Sequence, residues 1–503
     1  MEDVVKVARQ QRPVELSEKS VKKIETSRSV LERVAREGRT IYGVTTGFGA
    51  LSNTRISLDQ AAQLQTNLIR SHACGVGEIL PSDVVRAMML LRLNTLAKGL
   101  SGARLSVAQL IEAFLNEGIH PLVPSKGSVG ASGDLAPLSH MALALMGEGP
   151  VEFRGEQIGA SDALQRRGLS PLSLTIKEGL ALNNGTQLST ALAALVVHDA
   201  EKLCKVADIA VAATLEALQG FIQPFDERIH NARPFRGQGD SASNVRLLIS
   251  GSKLAREQVS GVGELAQDAY SLRCHPQVAG AARESVAFAR SLIQTEINSA
   301  TDNPLIFAES SDVLSGGNFH GQPVGVAMDV ASIALAALAN LSERRTFRLL
   351  DSNLSKGLPS FLVGTKGSEG LESGLMAIQY TAAALASENK ILAHPATVDT
   401  IPTSGSIEDF VSMSSTAGLK ARMVLRNAVQ VLAIELICAM QGIEFRDPSK
   451  CGKGTRAAYD KIRGKVQPAI NDRPLSSDID AVSGMIEDGT LVQAVEQAVG
   501  SLK

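Results

Sequence analysis

The sequence predicts a mainly α-helical fold, with a core of long bundled helices and a smaller, mixed N-terminal region. Composition is the first reason, because aromatic residues make up only 3% of the 503 residues and Trp is absent. This scarcity favours helices rich in Ala and Leu over an aromatic-rich sheet. The second reason is two long segments: residues 186–219 contain neither Pro nor Gly, and residues 412–440 contain one Gly. Apolar helices longer than about 25 residues are typical of a bundle.

The mixed character of the N-terminal region comes from short patterned segments that alternate with turns. The segment Tyr42–Gly49 is rich in Gly and Thr, which is typical of a loop. Behind it, Ser57 and Gln60 have the spacing of a capping box and predict the start of a helix. The apolar residues that follow repeat at intervals of three and four, so this helix should end at Ser71 and His72.

A further helix is predicted from about Ser82 to Gly99, and we expect the chain to divide after it. Residues 1–99 then form the mixed region, which carries the glycine-rich loop and the Ser-His segment. Residues 100–503 form the helical-bundle domain.

Charge and cysteine content exclude several classes of protein. The net charge of −2, without a long basic run, argues against a nucleic-acid partner. The start of the chain lacks the charged and apolar regions of a signal peptide, and the most apolar stretch, 324–341, contains Asp329 and falls short of a membrane span. Five scattered cysteines without a Cys-x-x-Cys motif predict neither a disulfide framework nor a metal site. We expect a soluble, reduced, cytoplasmic protein with no membrane partner.

The densest chemical motif is Gly127–Leu135, which reads Gly-Ser-Val-Gly-Ala-Ser-Gly-Asp-Leu. Its glycines follow a G-x-x-G-x-x-G spacing, whereas a dinucleotide-binding loop needs G-x-G-x-x-G, and no Gly-Lys-Ser/Thr marks a P-loop. A nucleophile elbow is excluded because Asp134 stands where that motif has Gly. Two interpretations remain: a tight turn with Asp134 as the N-cap of the next helix, or a segment with chemistry of its own.

A resemblance supports the second interpretation. Ala131–Gly133 is the tripeptide that cyclises in the family of histidine and aromatic amino acid ammonia-lyases, and the surrounding sequence is similar to that family. The resemblance runs from Tyr42 to about Phe445, with further motifs in the family's order. These motifs are Thr40–Gly49, Leu182–Thr186, Gln267–Arg273, Glu296–Pro304 and Gly316–Gly321.

The resemblance implies an electrophile that is made from the chain itself, with no external cofactor. The backbone nitrogen of Gly133 attacks the carbonyl carbon of Ala131, and residues this small leave room for a sharp bend. Loss of water from Ser132 then gives 4-methylidene-imidazol-5-one, a carbon electrophile that no ordinary side chain offers. The helix predicted to begin at Asp134 would favour negative charge on the ring.

The resemblance also assigns roles to side chains. Tyr42 is expected to act as general base, and Arg273 is expected to hold the substrate carboxylate with two hydrogen bonds. Four more residues are expected to orient the substrate or wall the pocket: Tyr270, Asn184, Gln267 and Phe319.

The family adds a fold and an assembly. It is similar to the helical superfamily of fumarase and aspartase, although the Gly-Ser-Ser-x-Met-Pro motif of fumarase-like lyases is missing here. The resemblance implies a homotetramer in which each active site uses residues from three subunits.

The implied substrate is L-histidine. Ser71-His72 occupies the position where histidine-selective members carry Ser-His and members selective for tyrosine or phenylalanine carry His-Leu or Phe-Leu. A buried imidazole needs partners for both nitrogens, and His72 and Glu408 would supply them. The expected reaction is elimination of ammonia to give trans-urocanate, the first step of histidine degradation. The alternative for His72 is that it only caps the C-terminus of its helix.

One segment departs from the family pattern. Its histidine-selective members usually carry Asn-Gln-Glu-Asp-His, whereas Ser406–Phe410 reads Ser-Ile-Glu-Asp-Phe, so that Ile407 replaces an amide and Phe410 a histidine. Three other functions therefore stay open: an aminomutase that uses the same electrophile, a tyrosine or phenylalanine ammonia-lyase, and an inactive helical scaffold. The intact tripeptide, together with Tyr42 and Arg273, argues against the scaffold.

Overall fold

The computed structural model describes residues 1–257 and 266–503, and these residues are mostly helical, which confirms the predicted class. The α-helices are α1 (Glu2–Gln10), α2 (Glu18–Arg36), α3 (Ala61–His72), α4 (Ser82–Ala97), α5 (Leu105–Glu117), α6 (Leu135–Leu145), α7 (Ala160–Arg166), α8 (Glu178–Asn183), α9 (Gln187–Ala217), α10 (Glu227–Asn231), α11 (Arg236–Leu248), α12 (Tyr270–Arg273), α13 (His275–Glu296), α14 (Gln322–Leu350), α15 (Met376–Leu392), α16 (Ser414–Glu444), α17 (Lys453–Arg463), α18 (Ser476–Glu487) and α19 (Thr490–Val499).

The strands are short and form three small antiparallel sheets. They are β1 (Val76–Ile79), β2 (Ile119–Pro121), β3 (Pro124–Lys126), β4 (Pro150–Phe153), β5 (Glu156–Gly159), β6 (Leu305–Phe307) and β7 (Asp312–Leu314). β1 pairs with β3, β4 lies between β2 and β5, and β6 pairs with β7.

The chain forms two compact units. Unit 1 comprises Met1–His198, Arg290–Asp329 and Pro395–Leu419, and unit 2 comprises Asp199–Ala289, Val330–His394 and Lys420–Lys503. All seven strands named above belong to unit 1, whereas the regular structure of unit 2 in the described residues is helical. The division of the chain at residue 99 stays a prediction, and the residues on both sides of it belong to unit 1.

The longest helices match the uninterrupted segments of the sequence. α9 has 31 residues and α16 also has 31, and α16 continues past the predicted segment to Glu444. α14 and α16 are long and apolar enough to cross a membrane by length and composition, so the expectation that 324–341 falls short on that ground was wrong. However, 67% and 83% of their most apolar windows are buried inside the protein, which is typical of core helices.

A buried apolar cluster in unit 1 anchors the loop that follows α2. Its members are Val30, Leu31, Val34, Ala35, Ile41, Val44 and Ile306. Ile41 is 4% exposed and Val44 is fully buried, and these two residues flank Tyr42. Burial of both neighbours fixes the backbone around Tyr42, so its side chain has a defined position.

The start of α3 differs from the prediction, although its end at His72 agrees with it. A 3₁₀ turn, Leu58–Gln60, comes first, and α3 begins at Ala61. The Ser57 hydroxyl bonds to the side chain of Gln60 over 3.2 Å and makes no cap hydrogen bond to the backbone. The capping box therefore does not form, because the two polar side chains satisfy each other.

Unit 2 contains a buried ionic network around Asp208 of α9. Asp208 lies 2.9 Å from His275 Nε2 and 2.5 Å from Arg283, and it accepts the Ser241 hydroxyl over 2.6 Å. Burial would raise the pKa of Asp208, but the charge of Arg283 and the hydrogen bond from His275 outweigh it and lower the pKa to about 2. His275 is thus a hydrogen-bonded histidine of the core.

Candidate active site

The tripeptide Ala131–Gly133 is sharply bent and packs against Gly185, which follows α8. Gly133 has a φ of +71°, and a Cβ at this position would collide with the backbone of Gly185. The Gly185 N–H donates to the carbonyl oxygen of Ser132 over 3.3 Å, and the Gly185 carbonyl accepts the N–H of Asp134 over 2.7 Å. Because only glycine fits at position 133, the sequence itself imposes this bend.

The Asp134 carboxylate binds the first turn of α9, whereas we predicted that it would cap the helix that follows it, α6. Its carboxylate does not cap α6, which begins at Leu135. Instead it accepts the N–H and the hydroxyl of Ser189 and the hydroxyl of Ser128, each over 2.8 Å. Ser189 lies in the first turn of α9, where backbone N–H groups lack helical partners and attract a carboxylate. Burial raises the pKa of Asp134, and these hydrogen bonds oppose the rise.

A cavity of about 970 Å³ in unit 1 opens beside the tripeptide. Its lining draws on segments that lie far apart in the sequence, from the loop after α2 to the loop before α16. Seven of the site residues expected from the sequence line it: Tyr42, His72, Ala131, Ser132, Asn184, Phe319 and Glu408. Among residues 1–257 and 266–503, no group of three or more His, Cys, Asp or Glu side chains has an arrangement that could hold a metal ion.

Tyr42 lies at the cavity wall and is held from two sides. Its phenol oxygen accepts the N–H of Gly49 over 3.1 Å, and its ring meets Phe48 edge to face at 6.2 Å. A hydrogen bond of this kind strengthens when the acceptor oxygen becomes negative. The loop thus supplies a backbone hydrogen-bond donor to the phenol oxygen of Tyr42.

Asn184 lines the cavity and carries a buried hydrogen-bond acceptor. Its Nδ2 donates to the Asn303 carbonyl over 3.2 Å. Its Oδ1 is buried and has no partner within the part of the chain that the structure describes. A buried acceptor without a partner costs about 1–3 kcal/mol. An N–H brought within reach of Oδ1 would remove this cost.

Two fully buried polar residues hold the Tyr42 loop and Asn184 in place. We did not predict a role for either of them. Gln65 donates to the Gly43 carbonyl over 2.8 Å and accepts the N–H of Leu180 over 3.0 Å, which ties the Tyr42 loop to α8. Arg92 donates to the Asn184 carbonyl over 2.8 Å, and burial lowers its pKa to about 10. The sequence signal for both residues was a polar side chain within an apolar helical segment. Such a signal does not by itself identify the hydrogen-bond partner.

Glu408 is held by two hydroxyl groups. Ser132 donates to its Oε1 over 2.8 Å, and Thr403 donates to its Oε2 over 2.8 Å. The backbone carbonyl of Glu408 also accepts the N–H of Thr403 over 2.9 Å. The carboxylate is therefore fixed next to the central side chain of the tripeptide.

His72 lies at the end of α3, on the same cavity. Its Nδ1 is 3.0 Å from the hydroxyl of Ser71. Burial lowers the pKa of His72, while a hydrogen bond with the backbone of Leu68 and the charge of Glu408 raise it. A lowered pKa favours the neutral ring, which has one donor and one acceptor. The contact with Leu68 is the helix-capping alternative, and it coexists with the position on the cavity.

The two departures from the family pattern also face the cavity. Ile407 is 64% exposed and Phe410 is 55% exposed, and both line the wall. The ring of Phe410 stacks on His320 at 5.9 Å, and His320 Nε2 lies 3.1 Å from the Phe410 carbonyl. These replacements make this side of the cavity more apolar than an amide and a histidine would.

A buried ion pair between Lys177 and Asp302 fixes the backbone at Asn303. Lys177 Nζ lies 3.0 and 2.9 Å from the two oxygens of Asp302, and both side chains are fully buried. Asp302 Oδ1 also accepts the N–H of Asn303 over 2.7 Å. The pair thus fixes the backbone that Asn184 binds.

Replacing Lys177 with Met is expected to lower the free energy of unfolding by about 3–5 kcal/mol, because it leaves the Asp302 carboxylate buried without its cation. Chemical denaturation followed by circular dichroism measures this loss. The double variant Lys177→Met/Asp302→Asn should recover part of it, because no unpaired charge remains. A loss below about 1 kcal/mol in the single variant, the size of an exposed pair, would contradict a buried pair.

Four of the expected site residues do not line this cavity in the described chain: Gly133, which packs against Gly185, and three residues farther along the sequence. Gln267, Tyr270 and Arg273 belong to unit 2. Tyr270 is 70% exposed, and the Arg273 guanidinium lies over its ring at 4.5 Å. Arg273 Nε has no hydrogen-bond partner among the described residues. Tyr270 and Arg273 thus form a cation–π pair whose aromatic ring is open to solvent.

Comparison with known proteins covers almost the whole chain. A family model described as aromatic amino acid lyase matches residues 1–464. A histidine ammonia-lyase of Alkaliphilus oremlandii (strain OhILAs) is 50% identical over 500 residues, which cover 99% of this chain and 97% of that protein. The solved tyrosine aminomutase from Streptomyces globisporus is 39% identical with a TM-score of 0.95, and covers 100% of this chain and 98% of its own. The solved histidine ammonia-lyase from Trypanosoma cruzi is 39% identical with a TM-score of 0.90, and covers 99% and 93%.

Proposed function

The chain belongs to the aromatic amino acid lyase family, and from this premise we propose that it is a carbon–nitrogen lyase that eliminates ammonia from L-histidine to give trans-urocanate. One observation carries the proposal. Ser132, at the centre of the bent tripeptide, faces the same cavity as Tyr42, His72 and Glu408. A histidine ammonia-lyase that is identical to this chain at about half of its residues supports the choice of substrate.

The tripeptide fits the formation of 4-methylidene-imidazol-5-one from Ala131–Gly133. Gly133 has no Cβ to obstruct the ring, and Ala131 is only 5% exposed, so little water competes for its carbonyl carbon. The backbone bonds to Gly185 hold the bend from the other side. When formed, this group supplies a carbon electrophile to the substrate, and no external cofactor is proposed.

The other roles fall to side chains of the cavity. We assign to the neutral His72 and to Glu408 the hydrogen bonds to the two imidazole nitrogens, and to Asn184 Oδ1 an N–H of the substrate. Tyr42 acts as the general base and takes a proton from the β-carbon. The hydrogen bond from Gly49 strengthens at the tyrosine oxygen when that oxygen is negative. The carbon–nitrogen bond then breaks, a double bond forms between the α- and β-carbons, and ammonia leaves.

We further propose a homotetramer in which another copy of the chain supplies Gln267, Tyr270 and Arg273 to the cavity. Arg273 would bind the substrate carboxylate, because its planar guanidinium can donate two parallel hydrogen bonds to a carboxylate. The exposure of Tyr270 and the large apolar side chains exposed on the helices of unit 2 support this assembly. Those side chains are Phe288, Ile333, Tyr380, Ile391 and Met423.

A mixed-subunit experiment tests the shared site. Tyr42→Phe and Tyr270→Phe are each expected to lower activity by about 10²-fold or more. When both variants are made in the same cell, some sites of the mixed tetramers combine an intact Tyr42 from one copy with an intact Tyr270 from another. Activity well above that of either variant alone is therefore expected. Mixed tetramers as inactive as the separate variants would contradict the shared site.

Product analysis tests the reaction itself. Purified protein is incubated with L-histidine, and ammonia and the near-ultraviolet absorbance of an α,β-unsaturated acid are measured together. We expect both to rise in equal amounts. Turnover of histidine, tyrosine and phenylalanine at equal rates would leave only a general ammonia-lyase, and no turnover of any amino acid would favour the scaffold.

An aminomutase is the second candidate, because the solved tyrosine aminomutase matches the whole chain and Phe410 makes the cavity wall more apolar. Its product would be a β-amino acid without net release of ammonia. The same incubation therefore separates the two candidates. We propose a cytoplasmic location, which the five free cysteines support because thiols stay reduced there.

A further inference from the structure

We propose that Glu408 helps to make the electrophile, in addition to binding substrate, by passing to the hydroxyl of Ser132 the proton with which that hydroxyl leaves as water. This inference rests on the function proposed above, since it concerns the formation of the same ring. The juxtaposition that carries it is the hydrogen bond from Ser132 Oγ to Glu408 Oε1, 2.8 Å long, across 276 positions of sequence.

The position of Glu408 is imposed by its surroundings. Its other oxygen accepts the Thr403 hydroxyl over 2.8 Å, and the backbones of residues 403 and 408 pair as an isolated antiparallel bridge. Both oxygens of the carboxylate are thus held by hydrogen bonds. One of these bonds comes from the Ser132 hydroxyl, the group that must leave as water. A surface glutamate that met Ser132 by chance would lack this second anchor.

Two other polar side chains near Ser132 make no hydrogen bond to its hydroxyl in the described part of the chain. Asp134 is adjacent in sequence, but it accepts hydrogen bonds from Ser128 and Ser189. The Tyr42 oxygen accepts the N–H of Gly49. Glu408 is the carboxyl group that the structure pairs with the Ser132 hydroxyl.

The chemistry balances with two molecules of water. In the first, the Gly133 nitrogen bonds to the Ala131 carbonyl carbon, and the carbonyl oxygen leaves with the protons of the Ser132 and Gly133 nitrogens. In the second, Glu408 takes up a proton from solvent, its hydrogen bond with Ser132 reverses, and that proton passes to Ser132 Oγ; the Cβ–Oγ bond breaks, and the electron pair of the Cα–H bond forms the Cα=Cβ double bond. The proton released from Cα goes to solvent and balances the proton that Glu408 took up, so Glu408 is left as a carboxylate. No oxidant or reductant is needed.

This arrangement also sets an order of events. While Ser132 keeps its hydroxyl, Glu408 Oε1 is occupied by it. Once that oxygen has left, Oε1 loses its partner and becomes free to accept the N–H of an imidazole. The same carboxylate therefore serves the maturation of the chain first and the binding of substrate afterwards.

Time-resolved mass measurement tests the inference without relying on turnover. The full-length chain is made by cell-free synthesis, and its intact mass is followed from the end of synthesis for the wild type, Glu408→Gln and Glu408→Ala. We expect the wild type to lose two molecules of water. Both variants should lose at most one in the same time, with the second loss slowed by about 10²-fold or more. Circular dichroism of each variant checks that the fold is retained.

His72→Phe is the matched control, because it removes the other proposed imidazole partner without touching Ser132. It should lose both molecules of water at the rate of the wild type. Chemical rescue adds a readout that a structural role would not change: acetate or formate should restore the second loss in Glu408→Ala, because the open cavity of about 970 Å³ admits a small carboxylic acid.

The outcomes separate this inference from the proposed function. If the wild type keeps its full mass, ring formation fails, and with it both proposals. If the wild type and the Glu408 variants lose two molecules of water equally fast, ring formation stands and the role of Glu408 in it is overturned. If Glu408→Ala unfolds, the rate of water loss in Glu408→Gln decides in the same way.

Discussion

Replacing Ser132 with Ala is expected to lower turnover of histidine by about 10³-fold or more, with the fold retained. The reason is chemical, because the methylidene carbon can come only from the β-carbon of a residue that loses its hydroxyl as water. The side chain is small and faces the cavity, so its loss creates little strain in the core. Steady-state kinetics at matched protein concentration measure the effect.

Two controls give this result its meaning. Ser128→Ala removes a neighbouring hydroxyl that bonds to Asp134, and it should keep far more activity than Ser132→Ala, since Ser128 lies outside the ring. Thermal unfolding of both variants should resemble that of the wild type. If Ser132→Ala turned over histidine within a factor of about ten of the wild type, the electrophile could not come from this tripeptide.

The second large effect concerns the choice of substrate. We expect kcat/KM for histidine to exceed that for phenylalanine by at least about 10³-fold, because sites built to hydrogen-bond a group reject analogues that lack it. A phenyl ring would leave one nitrogen of His72 and Oε1 of Glu408 without the partners that an imidazole supplies, and each unpaired buried group costs about 1–3 kcal/mol. Measuring both substrates on one preparation gives the ratio.

Variants of the two partners should reduce this discrimination. His72→Phe is expected to lower the ratio by about 10- to 100-fold, the equivalent of one lost hydrogen bond to a buried group. Glu408→Ala should raise the KM for histidine when KM is measured on the fraction of chains that has lost both molecules of water. A ratio unchanged by His72→Phe would mean that His72 only caps α3.

The helical core was predictable because its signal is local. Uninterrupted apolar segments are long enough to specify α9 and α16 without knowledge of their neighbours. The bend at the tripeptide was also predictable, because the glycine at position 133 permits the positive φ that the structure has there. The contacts that hold the Tyr42 loop and Asn184 in place were not predictable, because Gln65 and Arg92 bind backbone groups that lie far away in the chain.

The errors have the same origin. Asp134 precedes a helix and has the residue type of an N-cap, yet a second helix start, at Ser189, offers its carboxylate better donors. The capping box before α3 fails because Ser57 and Gln60 bond to each other. Both sequence patterns are real, but spatial neighbours decide which partner is used. The roles of Tyr270 and Arg273 came from the family resemblance, and no local pattern would have assigned them.

The most direct test of the account is the mass of the proteolytic fragment that spans Gly130–Asp134, isolated from enzyme that is turning over histidine. The account predicts a fragment lighter than its sequence by two molecules of water, with the change located at Ala131–Gly133 by fragmentation. The same fragment at its full, unmodified mass in active enzyme would contradict the account, because an uncyclised tripeptide has no electrophilic carbon.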